Sequence, residues 1–339
     1  MRRALLFSTL CFLLAQCSPS DEQQKAPLSP AAPAAEYANP VVAGSLPDPT
    51  IIRTDDGWFY LYATEDHRNT PIMKSKNLVK WGLVGTAFTD ATRPNFEPGG
   101  GLWAPDICYI NGKYVLYYSM SVWGGGSTCG IGVAVADKPG GPFEDRGKLF
   151  RSNEIGVHNS IDPFYMEDDG KKYLFWGSFH GIYAAELNDD GLSLKNTAEK
   201  TRIAGNAFEA TYIHKRGGYY YLFASVGSCC EGISSTYKLV VGRAEALLGG
   251  YVSKEGAPMM HDSYTVVIAP NAYFVGNGHC SEIVQDTAGQ DWVLYHGVDV
   301  SDPNSGRKLL LDQVKWDENG WPYIEGGSPS HGKTPIPQF

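Results

Sequence analysis

Asn111-Gly112-Lys113-Tyr114-Val115-Leu116-Tyr117-Tyr118-Ser119 reads as a tight turn followed by a strand. Asn-Gly accepts two successive positive φ angles, the requirement of a two-residue hairpin between antiparallel strands. After the turn come aromatic and β-branched residues, then leucine, an aromatic, a variable residue and a small one. The phrase recurs four more times. Asp56-Gly57 leads to Leu61-Tyr62-Ala63-Thr64, and Asp169-Gly170 leads to Leu174-Phe175-Trp176-Gly177. Gly217-Gly218 leads to Leu222-Phe223-Ala224-Ser225, and a lone Gly289 leads to Leu294-Tyr295-His296-Gly297. The five leucines stand 55, 58, 48 and 72 residues apart.

A further strand follows most of these, as in Pro71 to Ser75 and Leu239 to Arg243. A final segment ends at an aromatic: Trp81, Phe143, Tyr251 or Trp321. Three to four strands per repeat, with five repeats of ~60 residues, is the pattern of a β-propeller. The expected fold is all-β, a single-domain five-bladed β-propeller over residues 38–339. A length of 339 residues alone would suggest about two domains of ~150 residues, but one closed ring accounts for it. With 20 Tyr, 8 Trp and 39 Gly, the composition suits aromatic strands and glycine turns. Hydrophobic residues at 43% and charged ones at 19% exclude disorder. A formal charge of −9 and a pI near 5.4 argue against nucleic acid or an anionic surface as partner.

The first residues read as a targeting signal. Arg2 and Arg3 are basic, Leu5 to Leu14 is apolar, and Leu14-Ala15-Gln16-Cys17 ends it like a bacterial lipobox. The apolar run is too short to span a bilayer. Residues 1–16 are therefore expected to be a signal peptide, and Cys17 a lipidated residue. Residues 17–37 are expected to be a Pro/Ala-rich tether that cannot bury itself. The protein would then sit at the bacterial cell envelope, or be secreted if Cys17 carries no lipid. Cys108, Cys129, Cys229, Cys230 and Cys280 remain, an odd number without metal-site spacing. Cys229 and Cys230 are neighbours, ill-disposed to bond one another in a small ring. No disulfide is expected to carry the fold.

Acidic residues fall at one place in the repeats. Asp48 precedes Gly57 by 9 positions, Asp106 precedes Gly112 by 6, and Asp162 precedes Gly170 by 8. Glu209 precedes Gly217 by 8, and His279 precedes Gly289 by 10. Innermost strands of a propeller line its channel, so four carboxylates and a histidine are expected to meet at one end. Asp beside Pro, as at Asp48 and Asp162, is also a common turn former, but the recurrence favours a site. Like charges held together raise the pKa of one member and keep it protonated as an acid. Trp58, Phe96, Trp103, Trp123 and Phe208 lie near these positions, either to stack on sugar rings or to pack the blades.

The residues that carry a resemblance are LPDPTIIR (46–53), LWAPDICYINGKYVLYYS (102–119), HNSIDPFYMEDDGKKYLFWGSF (158–179), the stretch from Phe208 to Arg243, GNGHCSEI (276–283) and LLLDQVKWDENGWPYI (309–324). Together they resemble glycoside hydrolase family 43, and GLWAPDI and CCEGISSTYKLVVGR within them resemble its endo-1,5-α-L-arabinanases. The resemblance implies a five-bladed propeller that cleaves arabinose- or xylose-containing glycans. It implies Asp48 as general base, Glu209 as general acid, and Asp162 as the residue that tunes and orients the acid. His279 would be a channel histidine holding Ca²⁺ or a water cluster, with no obligatory cofactor. Trp103, Asn159 and Ser178 are expected to bind substrate, and Asp106 to be a structural hydrogen-bonding residue. Cys280 and Thr211 stand where the arabinanases commonly have Asn and Pro.

Three readings stay open. The first is inverting, endo-acting hydrolysis of arabinan by a monomer. Its close competitor is an exo-acting α-L-arabinofuranosidase or β-xylosidase of the same family. The third is a glycan-binding envelope lipoprotein without turnover, which would need no base, acid and modulator together. No large β-sandwich follows the last blade, as it does in many exo-acting xylosidases, and this favours the endo reading.

Overall fold

The computed structural model describes Met1 and residues 35–339. Apart from Met1, the expected signal peptide lies outside the described residues, as do Cys17 and the tether up to Ala34. Turns set the blades. Asn111 and Gly112 have φ of 49° and 83°, and Asp169 and Gly170 have 49° and 72°. Positive φ at both turn positions matches the twist of the flanking strands. Ile110 therefore pairs directly with Lys113, and Asp168 with Lys171.

Five antiparallel sheets result, each with four strands on its main path. Blade I is Thr50–Arg53, Phe59–Tyr62, Pro71–Ser75 and Gly82–Thr86. Blade II is Gly101–Ile110, Lys113–Ser121, Gly130–Ala136 and Glu144–Arg151. Phe164–Asp168, Lys171–Trp176, Ile182–Glu186 and Thr201–Ala204 form blade III. Blade IV is Glu209–Arg216, Tyr219–Val226, Lys238–Ala244 and Thr265–Ile268. The protein is a five-bladed propeller, as the repeat implied. All five repeat leucines, Leu61, Leu116, Leu174, Leu222 and Leu294, are fully buried. Each such burial contributes ~1.5–3 kcal/mol.

Blade V departs from the expected order. Phe274–Gly278, Asp291–Asp299 and Arg307–Trp316 come from the end of the chain, but its outer strand is Val42–Ser45 from the beginning. Val41 N and Leu46 N donate to Leu309 O and Arg307 O, which closes the ring. The strand Glu36–Tyr37 pairs with Thr334–Pro335 and buries Tyr37, so ordered pairing begins before residue 38.

A kink falls within or beside each inner strand. Asp48, Ala104, Asp162, Ala210 and His279 have φ of 55°, 39°, 60°, 59° and 47°. Such a conformation costs an L-residue ~1–2 kcal/mol, and a hydrogen bond meets every kinked amide. Ala104 N donates to Thr64 Oγ1 (2.7 Å), Asp162 N to Ser119 Oγ (2.9 Å) and Ala210 N to Asp162 Oδ2 (3.1 Å). His279 N donates to Ser225 Oγ (2.9 Å), and Asp48 N to His296 Nδ1 (3.2 Å). In each case the acceptor belongs to the preceding blade around the ring. The small hydroxylated residue that ends the repeat at Thr64, Ser119 and Ser225 has this physical cause.

The kinks also correct the expected crowd of four carboxylates. Asp106 stands two residues beyond the Ala104 kink and lies in a deeper layer, outside the lining of the mouth. There its Oδ2 accepts from Tyr165 N at 2.7 Å. Thr50 Oγ1 lies 3.3 Å from Asp106 Oδ1 and 2.9 Å from Glu282 Oε1, and Ile51 N donates to Glu282 Oε2 at 2.7 Å. Asp106 is a buried hydrogen-bonding residue paired with Glu282.

Candidate active site

A cavity of about 620 Å³ opens at the channel mouth. It gathers Asp48, Trp103, Asn159, Asp162, Ser178, Glu209 and His279, every expected site residue among those described. Asp48 comes from blade I and Glu209 from blade IV, which are not neighbours in the ring.

Asp48 is buried among Arg307, His279, His296 and Thr64. Its Oδ1 lies 2.8 Å from Arg307 Nη1, 3.0 Å from His296 Nδ1 and 3.3 Å from His279 Nδ1. Thr64 Oγ1 donates to Oδ2 at 2.6 Å. Burial alone would raise the carboxyl's pKa, but Arg307 foremost, with His279 and His296, holds it well below the usual carboxylate range. Burial keeps both imidazoles neutral at pH 7 and lowers His279 to about 4.

Asp162 and Glu209 face the opposite environment. Burial pushes Asp162 up, and the neighbouring Glu209 and Asp48 charges add to it. Burial also raises Glu209, and hydrogen bonds from Ser178 and Tyr237 only partly oppose it. Ser178 Oγ donates to Glu209 Oε2 and Tyr237 Oη to Oε1, each at 2.6 Å. The pair therefore retains a proton where Asp48 is ionised.

Asn159 and Ser178 line the cavity and also hydrogen-bond beside the acid. The Ser178 hydroxyl is buried on Glu209, and Asn159 Nδ2 donates to Ser178 Oγ at 2.8 Å. Their polar atoms support the Glu209 carboxyl. Among the aromatics, Trp103 and Trp123 line the cavity, with ring centroids 6.4 Å apart. Phe96 and Phe208 pack in blade interiors, and Trp58 lies under Lys74 and Lys76.

The sequence reading missed Arg307, His296 and Tyr237. His296 carried a signal, because it fills the variable place that holds Ala63, Tyr118, Trp176 and Ala224 in the other repeats. Tyr237 stacks on it, centroids 5.7 Å apart and planes within 3°. A second correction concerns the cysteines: Cys229 and Cys230 are bonded to each other and line the cavity. Cys108, Cys129 and Cys280 are free thiols.

Among the described residues, no group of three or more His, Cys, Asp or Glu side chains is arranged to hold a metal ion. Ca²⁺ takes six to eight oxygen ligands. The His279 imidazole facing Asp48 does not by itself supply them.

An ionised carboxylate across a cleft from a proton-holding carboxyl pair, beside exposed tryptophan, defines a glycoside-cleaving propeller enzyme. The chain belongs to glycosyl hydrolases family 43, whose model matches residues 37–322. It is 34% identical over 290 residues to the extracellular endo-α-(1→5)-L-arabinanase 1 of Bacillus subtilis (strain 168), covering 82% of this chain and 87% of that protein. It is 36% identical over 306 residues to the extracellular exo-α-(1→5)-L-arabinofuranosidase ArbA of Cellvibrio japonicus, covering 82% and 86%. The α-L-arabinanase of Cellvibrio cellulosa, solved with arabinohexaose, superposes with a TM-score of 0.74 at 33% identity, covering 82% of this chain and 95% of that one.

Proposed function

We propose that this enzyme hydrolyses α-1,5-linked L-arabinofuranosyl bonds within arabinan, as a monomer, with inversion at the anomeric carbon. The relatives named for endo-acting arabinan cleavage and the arabinohexaose complex support the substrate. One observation carries the mechanism: two carboxyl sites in one cavity are driven in opposite directions, Asp48 down and Glu209 up. Asp48, ionised, takes a proton from a water that attacks the anomeric carbon. Glu209 gives its proton to the leaving glycosidic oxygen. Burial and the Asp48 charge disfavour the ionised acid, and Asp162 accepts from the Ala210 amide next to it. The Ser178 and Tyr237 hydroxyls then stabilise the carboxylate that proton transfer creates. Inversion requires room for water, with carboxyl groups ~6.5–9.5 Å apart. Origin on non-adjacent blades favours such a gap.

The reaction is proposed without a metal step. We further place the enzyme outside the cell, as its relatives are described, and held to the envelope by a lipid on Cys17. Asp48→Ala and Glu209→Ala should each lose ~10²–10⁴-fold in rate with the fold intact. Proton NMR early in the reaction on linear arabinan should show the inverted anomer, and a retained one overturns the role of Asp48. The likeness to the exo-acting Cellvibrio japonicus relative favours a second reading, release from chain ends. Early products of mixed length support internal cleavage, whereas one small sugar from the start supports the other.

A further inference from the structure

A disulfide between neighbouring residues closes no loop of chain. Its usual stabilisation, which grows with the length of chain enclosed, is therefore absent for Cys229–Cys230. Bonding is also not general here, since Cys108, Cys129 and Cys280 stay as free thiols. What distinguishes the pair is its location. Cys230 is exposed, Cys229 is half-buried, and both face the cavity that holds Glu209. They follow the strand Tyr219–Val226, whose Ser225 pairs with Glu209 itself.

The segment is held in place. Thr236 N donates to Ser228 O and Ser228 N to Thr236 Oγ1, both at 3.0 Å. Glu231 N donates to Ser235 Oγ at 3.0 Å, at the start of the turn Gly232–Ser234. Two linked sulfurs present a compact, polarisable surface without a strong hydrogen-bond donor. Two thiols would be bulkier, separately mobile and weakly polar. A furanose ring presents C–H groups on its faces, and these pack against apolar surface. Trp103 and Trp123 give such surface from blade II, and the disulfide gives it from the acid's blade.

We propose that the Cys229–Cys230 disulfide is a binding surface for an arabinosyl ring of the substrate chain on the Glu209 side of the cleft, and that reduction weakens binding. The inference rests on the arabinan-cleaving reading. An oxidising extracellular setting would keep the bond formed.

The test compares oxidised enzyme with enzyme treated with a water-soluble phosphine. The phosphine supplies two electrons and is oxidised, the S–S bond breaks, and each sulfur takes a proton. Thiol titration should gain two groups. KM for arabinohexaose should then rise about three- to tenfold, the loss of one apolar contact face, with kcat much less affected. A Cys229→Ser/Cys230→Ser variant should match the reduced enzyme and ignore the phosphine, with circular dichroism verifying its fold. Should that variant misfold, the reduced wild type carries the comparison. Calorimetric binding of arabinohexaose to Glu209→Ala gives the same comparison without turnover. An unchanged KM with two new thiols overturns the proposal, as does a fall in kcat at constant KM. An oxidised enzyme that cleaves arabinan but binds it no better than the reduced one rejects this inference alone. One that neither binds nor cleaves arabinan rejects the functional reading and this inference with it.

Discussion

Arg307 decides how far the Asp48 carboxyl is driven down. Asp48 must be ionised to accept a proton from water, so kcat/KM falls as pH drops through its folded pKa. Burial acts to raise that pKa, and Arg307 is the largest influence lowering it. Arg307→Ala should therefore move the acidic limb of the kcat/KM profile to higher pH. The alkaline limb, which reports loss of the proton shared by Asp162 and Glu209, should move less. An acidic limb that stays in place would show that the guanidinium only packs. Asp48, Asp162 and Glu209 were legible in the sequence because each stands beside an inner-strand kink and recurs with the repeat. Arg307 was not, because it begins a third strand and reaches Asp48 across the closure of the ring. Ser178 also lines the cavity, and its hydroxyl donates to the Glu209 carboxyl.

The hairpin elements were readable since turn glycines and buried leucines announce them locally. The closing strand Val42–Ser45 was not. It is short, partly exposed and without clear alternation, and its partners are fixed only by the ring. Blade IV hid its outer strand Thr265–Ile268 in the same way, well after the aromatic at Tyr251. Asn39 anchors the closure across 272 residues of sequence. Its Nδ2 donates to Leu311 O at 3.0 Å, and its Oδ1 accepts from Leu311 N at 2.9 Å. Asn39→Ala leaves both Leu311 backbone groups buried without these partners. A loss of about 1–3 kcal/mol is expected in urea unfolding. A change under ~0.5 kcal/mol would mean that the closing strand is held by its ladder alone.

At the scale of the molecule, two buried acid layers lie along one axis, and Asp48 responds to pH with the sign opposite to the other four carboxyl groups. The Asp48 pKa is depressed, so its contribution to stability is present above the unfolded value of ~4 and lost as pH falls through the folded one. Burial and the Glu282 charge raise Asp106 well above its ordinary value, and burial raises Glu282. Asp106 and Glu282 share Thr50 Oγ1 and bring together blades I, II and V, while the Tyr165 amide brings in blade III. The Cys108 thiol beside them is held neutral, its pKa raised by burial and by both acids. A raised carboxyl gives stability that is full below ~4 and is lost as pH climbs towards the folded pKa. Asp106→Asn keeps a donor of similar shape and removes the titrating proton. Its melting temperature should therefore decline less than that of the wild type between about pH 5 and 9. The decline should not vanish, because Asp162 and Glu209, also raised, remain and act with the same sign. Parallel melting curves across that range would show that the lower layer carries no proton of its own.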